Sequence, residues 1–274
     1  MAEQMTQQAK EKVKELKERG VNPVLAVLRI GAQEDDLSYE RGILKRFGQA
    51  GAEVRVTELP AGVTQEAAER ELIRLNEDSD VHGILIFRPL PRQLDEKRFC
   101  QLIDPAKDVD GMSPASAAKI YLGERDGFAP CTAAAVLAIL EHYRFDLTGV
   151  RATVVGRSAV IGRPVAMMLL AKHATVTVCH TRTRDLKSAC RNAELIVAAA
   201  GVPRMIGDAY LTEGQSVVDV GIHMTDDGLC GDVDEHAQTA LAARTPVPGG
   251  VGSVTTSVLL QHTLQAAERA ADRS

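Results

Sequence analysis

The chain of 274 residues carries 32 Lys and Arg against 37 Asp and Glu, a net charge of -5, with 45% hydrophobic and 25% charged residues, the make-up of a soluble protein able to bury one large or two modest cores. Net negative charge argues against a nucleic-acid partner, and four Tyr, five Phe and no Trp leave little for base stacking. No apolar run approaches membrane-spanning length and the start, Met1-Ala-Glu-Gln-Met5, is polar rather than a signal peptide, which predicts a cytoplasmic protein without a membrane partner.

Residues 3–19 place Met5, Ala9, Val13 and Leu16 at helical spacing and predict an amphipathic helix ended by Gly20. Residues 23–30 read as a buried strand, 31–36 as a polar turn and 37–50 as a helix stopped by Gly51. An alternating strand over 53–59, a helix over 64–76 capped by Thr64 and a third strand over 81–87 complete a βαβ first half. Arg88-Pro89-Leu90-Pro91 forces an extended exit from that strand, and the loop Asp104-Pro-Ala-Lys-Asp108-Val-Asp110-Gly111 gathers carboxylates beside a glycine. Pro130-Cys131-Thr132 opens an apolar helix over 133–142 that links two lobes.

The second half opens on Thr153-Val154-Val155, which ends in Gly156-Arg157-Ser158, and from Pro164 the pattern is that of a buried helix. Such a strand, turn and helix aims backbone N–H groups and a helix dipole at one spot, as a dinucleotide pyrophosphate requires, although Ser158 stands where the second glycine of G-x-G-x-x-G would be. Strands over 174–179, 195–200 and 216–220 follow, the rhythm of a doubly wound parallel sheet. After the strand over 174–179, the second of this half, where NAD enzymes place an acid for the ribose 2′-hydroxyl, the chain reads His180-Thr181-Arg182-Thr183-Arg184. Cations there, with Arg157, suit a 2′-phosphate and favour NADP over NAD.

The predicted fold is therefore α/β, with two α/β lobes around a cleft, the C-terminal one a Rossmann-type doubly wound parallel sheet. The ligand loops are those after Ile30, Phe87, Val155, Cys179, Ala200 and Val220, with the glycine-rich 248–252. A final helix over 255–271 has the apolar surface to pack on the first lobe. Five cysteines without a C-x-x-C pair and seven histidines without ligand spacing predict reduced thiols and no metal.

Val81-His-Gly-Ile-Leu with Pro89-Leu-Pro91, Lys107-Asp-Val-Asp-Gly111, Pro130-Cys-Thr132, Val155-Gly-Arg-Ser158 with Gly162-Arg-Pro164, Cys179-His180, Asp219-Val-Gly-Ile222, Gly231-Asp-Val233 and Thr245-Pro-Val-Pro-Gly-Gly-Val-Gly252 resemble the methylenetetrahydrofolate dehydrogenase/cyclohydrolase family, often called FolD. The resemblance implies a homodimer that oxidises 5,10-methylenetetrahydrofolate with NADP or NAD in one-carbon metabolism, and in most members hydrolysis of the methenyl product to 10-formyltetrahydrofolate. It implies a folate-binding catalytic lobe over 1–132, completed by 253–274, and an NADP-binding lobe over 133–252. Tyr39 then corresponds to the ring that stacks on the folate, and Asp110 to the carboxylate that receives the pterin N–H groups. Phe87, Arg88 and Pro89 stand on the pocket wall, and Gly250, Gly252 and Thr255 on the segment that closes against the folate. Gly156, Arg157 and Ser158 correspond to the phosphate turn, Thr181 with Arg182 to the adenosine side, and Ile222 to the nicotinamide side.

Two departures from the family pattern stand out. The family places a lysine four residues after the tyrosine, where this chain has Ile43, and a glutamine at the end of the third strand, where it has Phe87. Ala133 and Ser253 replace family prolines, and the chain begins inside the first helix without the short strand that usually precedes it. Hydride transfer needs alignment, whereas hydrolysis needs a positioned acid/base. The pattern therefore predicts a dehydrogenase with cyclohydrolase activity weak or lost. The alternatives are a bifunctional enzyme in which Arg88 supplies the missing cation, a silent NADP- or folate-binding paralogue, and a dehydrogenase for a modified pterin.

Overall fold

The computed structural model describes residues 1–124 and 126–273, apart from the side chain of Asp35; Ser274, the last residue of the predicted C-terminal segment, lies outside the described residues. The backbone divides into two compact units, one of Met1–Ala118, Asp126–Cys131 and Thr256–Ser274, the other of Lys119–Arg125 and Thr132–Thr255.

In the first unit, α1 (Ala2–Glu18) buries Met5, Ala9, Val13 and Leu16, the four residues its spacing singles out. β1 (Val24–Ile30) is buried along its whole length, as a central parallel strand covered on both faces must be. α2 (Glu34–Ala50) starts a turn earlier than Leu37, because Glu34 and Asp36 suit the positive end of a helix although they lack the apolar periodicity that marks one in sequence. β2 (Glu53–Leu59) follows, then α3 (Gln65–Glu77), whose predicted cap Thr64 accepts the Ala67 N–H. β3 (Gly83–Ile86) completes a parallel sheet of order β2-β1-β3 among the described residues. Two helices without a sequence expectation come next. α4 (Glu96–Leu102) is capped by Asp95 around buried Phe99, and α5 (Pro114–Leu122) is started by Ser113, whose hydroxyl accepts the Ser116 N–H at 3.1 Å. The first core joins Val24, Leu28 and Ile30 to Leu72, Ile84, Ile86, Phe99 and Ile103.

β1 also carries a buried charge. Arg29, 5% exposed, donates to Glu40 on α2 at 2.8 Å, to Glu58 on β2 at 3.0 Å and to the Gly31 carbonyl at 2.5 Å. That set of partners satisfies a guanidinium that an apolar strand could not otherwise hold. It also ties the residue next to Tyr39 to the end of the central strand.

The second unit takes α6 (Cys131–His142) from Thr132 onward, then β4 (Arg151–Val155), α7 (Gly162–Ala171), β5 (Thr175–Cys179), α8 (Leu186–Arg191), β6 (Leu195–Ala198) and β7 (Ser216–Asp219). A small antiparallel hairpin of β8 (His223–Thr225) and β9 (Gly228–Cys230) and the short β10 (Ala243–Arg244) precede α9 (Val251–Ala271). The parallel order is β10-β7-β6-β4-β5. Chain crossovers thus run outward in opposite directions from β4, the Rossmann arrangement, and the switch point lies between β4 and β6. α7 begins two residues before Pro164, which is allowed because a proline in the first turn gives up an N–H that has no intrahelical partner. From Thr256 onward α9 belongs to the first unit, where Lys12 on α1 and Glu268 pair at 2.5 Å.

Candidate active site

The predicted site residues fall into two groups, one in each unit. In the first, Tyr39 lies on α2 with Ile43 one turn further along the same helix. Ile43 is completely buried and Phe87 is 6% exposed. The Phe87 ring meets Tyr39 at 5.7 Å between centroids, tilted by 40°. Burial, with the nearby Asp110 carboxylate, pushes the Tyr39 phenol well above its ordinary value, so it is a neutral donor throughout the physiological range.

After the cis Arg88-Pro89 bond the chain leads away from the sheet, and Arg88 Nη2 donates to Asp110 Oδ2 at 3.2 Å. The other oxygen, Oδ1, accepts the Cys131 N–H at 2.9 Å. Asp108 and Asp104 have structural roles. Asp108 is fully buried and accepts the N–H groups of Met112 and Ser113 and the Ser116 hydroxyl at 2.6–2.9 Å. Burial raises its pKa in spite of these donors. Asp104 accepts the Ala106 N–H. Asp110, at 21%, keeps a partly exposed side chain, in contrast to the buried Asp108.

Behind this group, the Cys131 thiol donates to the Val109 carbonyl at 3.3 Å and His262 Nδ1 meets the same oxygen at 2.9 Å. Burial drives the Cys131 thiol well up and the His262 imidazole down, so both stay neutral.

The second group surrounds the ends of β4, β5, β6 and β7. Gly156 has φ +135°, and a Cβ there would collide with the Ala199 carbonyl, while one at Gly162 would collide with the Gly156 carbonyl. The two glycines let the turn pass close to β6 and leave a backbone cradle. The Ser158 hydroxyl accepts the Ile161 and Gly162 N–H groups at 3.0 and 3.3 Å and so orders the turn that leaves Arg157 exposed. Gly156 N–H donates to the Cys179 carbonyl, which brings the next turn alongside. There Thr181 and Arg182 are exposed, and the first acid after β5 is Asp185, which caps α8 by accepting the Ser188 N–H at 2.9 Å. A glycine cradle flanked by arginines, with no free acid at the ribose position, fits a phosphorylated dinucleotide.

Ile222, 58% exposed, lines a pocket with Gly250 and Gly252. A Cβ on Gly252 would lie 2.8 Å from the Ile222 side chain. These two glycines, expected on the folate side, thus sit beside a residue expected on the nicotinamide side. Thr255 is not among the residues around that pocket; it is buried and its hydroxyl donates to the Val251 carbonyl one turn back. Among the described residues no group of three or more His, Cys, Asp or Glu is placed to hold a metal.

Two buried carboxylates that enter the sequence reading only as parts of motifs organise this second group. Asp232, with no exposure, accepts the N–H groups of Ala200, Gly201 and Val202 at 2.5–3.1 Å and meets His223 Nε2 at 2.7 Å. Asp219 accepts those of Gly221, Asp232 and Val233 at 2.9–3.0 Å. Together they fasten the loops after β6 and β7. The sequence signal was the apolar company of both aspartates, in Val218-Asp219-Val220 and Gly231-Asp232-Val233.

A Rossmann-type sheet with this cradle in one unit, and a paired aspartate with an aromatic wall in the other, mark a nucleotide-binding α/β enzyme. Comparison with known proteins makes the class specific. Residues 1–110 match the tetrahydrofolate dehydrogenase/cyclohydrolase catalytic domain, and residues 130–271 the NAD(P)-binding domain of the same enzymes. The chain belongs to the tetrahydrofolate dehydrogenase/cyclohydrolase family. It is 46% identical over 268 residues to the bifunctional protein FolD of Clostridioides difficile, covering 97% of this chain and 93% of that one. The bifunctional FolD of Campylobacter jejuni superposes with a TM-score of 0.95 at 37% identity, covering 98% and 96% of the two chains. The Trypanosoma brucei methylenetetrahydrofolate dehydrogenase-cyclohydrolase, solved with NADP and an inhibitor, gives 0.92 at 37% identity, covering 98% and 95%.

Proposed function

We propose that the protein oxidises 5,10-methylenetetrahydrofolate to the methenyl form with NADP, and that its hydrolysis of the methenyl product is weak or lost. Family membership supports the oxidation. The observation that carries the second part is the replacement of the family lysine and glutamine by Ile43 and Phe87, one fully buried and the other packed on Tyr39.

NADP, when bound, accepts a hydride from the methylene carbon. The residues of this chain bind and orient: Asp110 takes the pterin N–H groups, Tyr39 and Phe87 offer aromatic faces, and Gly156, Arg157, Ser158, Thr181 and Arg182 hold the phosphates and ribose, with Ile222 on the nicotinamide side. None of these tasks moves a proton. Hydrolysis does require proton movement, because water adds to the methenyl carbon. Ile43 and Phe87 have no exchangeable side-chain proton, a guanidinium such as that of Arg88 is a poor proton shuttle, and burial keeps Tyr39 and Cys131 protonated. General acid/base help is worth about 10²- to 10⁴-fold, so hydrolysis falls by about that factor while oxidation falls less.

A second reading, retention of both activities, is favoured by the bifunctional names of relatives that are 46% identical. Dimerisation is the assembly implied by the family, and a second copy would cover an edge strand such as β5, where Thr177 and Val178 are exposed. The cellular setting proposed is the cytoplasm; among the described residues no helix is long and apolar enough to cross a membrane.

The test is steady-state oxidation of methylenetetrahydrofolate with NADP and with NAD, beside hydrolysis of added methenyltetrahydrofolate. NADP is expected to be preferred, and changing both Arg157 and Arg182 to Ala raises the NADP KM by roughly 10- to 100-fold with little effect on NAD. Equal use of the two nucleotides by the unaltered enzyme contradicts the cofactor assignment, and hydrolysis as fast as oxidation contradicts the reaction assignment.

A further inference from the structure

We infer that Arg88 is a specificity-determining residue, its guanidinium donating to the 4-oxo oxygen of the pterin while Asp110 takes the neighbouring ring N–H and 2-amino group. This rests on the folate reading of the site and adds to it a function for a side chain that otherwise only closes an ion pair.

Asp110 has accommodated one donor on each oxygen, Cys131 N–H on Oδ1 and Arg88 Nη2 on Oδ2. A carboxylate offers about four acceptor sites, so each oxygen can take one more donor. Arg88 brings five N–H donors, one of them engaged with Asp110. Its other charged neighbour, Glu96, is 3.8 Å from Nη1, too far for a hydrogen bond. Arg88 and Asp110 are 16% and 21% exposed, so both can be reached by a ligand although mostly shielded from water. The pair therefore presents a carboxylate acceptor directly beside a guanidinium donor, next to the Tyr39–Phe87 aromatic wall.

A 2-amino-4-oxopteridine shows the complementary order along one edge: amino donor, ring N–H donor, carbonyl acceptor. A 4-amino analogue replaces the carbonyl acceptor by an amino donor and turns ring N3 from a donor into an acceptor, so it is mismatched at Arg88 and also at the Asp110 oxygen that takes the ring N–H. Set against Arg88, it leaves a charged donor facing another donor and unpaired in a shielded site, which is the situation that gives strong discrimination.

The experiment measures dissociation constants of tetrahydrofolate and its 4-amino analogue for wild type, Arg88→Leu and Arg88→Lys, with NADP affinity and thermal melting as checks that each variant is folded. Wild type is expected to prefer the 4-oxo ligand by about 10- to 100-fold. Arg88→Leu should lower the preference by about tenfold, leaving the share that ring N3 sets at Asp110, and Arg88→Lys, a point donor without the fork, should fall between. A preference unchanged in a folded Arg88→Leu protein overturns the inference. So does equal tightening of both ligands in that variant, which would make Arg88 a plug on Asp110. Wild-type protein that binds neither pterin overturns the folate reading itself, an outcome separate from either of these.

Discussion

At the scale of single residues, the account turns on Ile43 and Phe87. Ile43 is completely buried, so Ile43→Lys alone puts an unpaired ammonium among apolar side chains and destabilises by about 3–5 kcal/mol. Combined with Phe87→Gln, which offers an amide partner, the lysine should regain about 1–2 kcal/mol in a double-mutant cycle measured by urea unfolding; additivity of the two changes would show that positions 43 and 87 do not face each other. A second residue-scale prediction concerns pH. Side-chain hydrogen bonds from Arg204 pull Glu235 down to about 2 from an ordinary 4.5. A carboxyl lowered on folding contributes stability above its unfolded value and loses it as pH falls toward the folded one, here between about 4.5 and about 2. Glu235→Gln should therefore lower stability slightly at neutral pH, converge on wild type as pH falls toward about 2 and so flatten the acid limb in that window. Because Glu235 is 40% exposed, the shift in the acid midpoint is small, roughly a few tenths of a pH unit.

At the scale of elements, the β4–α7 turn is the most constrained feature. Gly156→Ala adds a side chain at φ +135° and against the Ala199 carbonyl, a combination expected to cost about 2 kcal/mol or more and to weaken NADP binding out of proportion. Unchanged melting temperature and NADP affinity would refute that role. Much of this architecture was legible in the amino-acid order. The spacing of Met5, Ala9, Val13 and Leu16 was sufficient for α1, and the apolar runs marked β1, β4 and β6, because local periodicity determines which face a helix or strand buries. α4 and α5 escaped because their starts depend on Asp95 and Ser113 as caps, and their sequences carry too few apolar repeats to announce a helix. The candidate site divides in the same way. Tyr39, Asp110 and the phosphate turn were readable from motifs. The Arg88–Asp110 pair, the packing of Phe87 on Tyr39 and the Asp219–Asp232 clamp join residues 22, 48 and 13 positions apart, and no local pattern encodes such contacts.

At the scale of the whole molecule, the chain matches both of the family's domains, and on the proposed reading Ile43 and Phe87 stand where hydrolysis needs a proton carrier. On that reading, loss of hydrolysis need not disturb oxidation, which depends on binding and alignment rather than on a proton carrier. The most direct test follows NADP reduction with methylenetetrahydrofolate and the decay of methenyltetrahydrofolate, corrected for its spontaneous rate, on one purified sample. The account predicts rapid reduction together with decay about a hundredfold slower than that reduction, or no faster than in buffer. Enzyme-dependent decay that keeps pace with NADP reduction would contradict it.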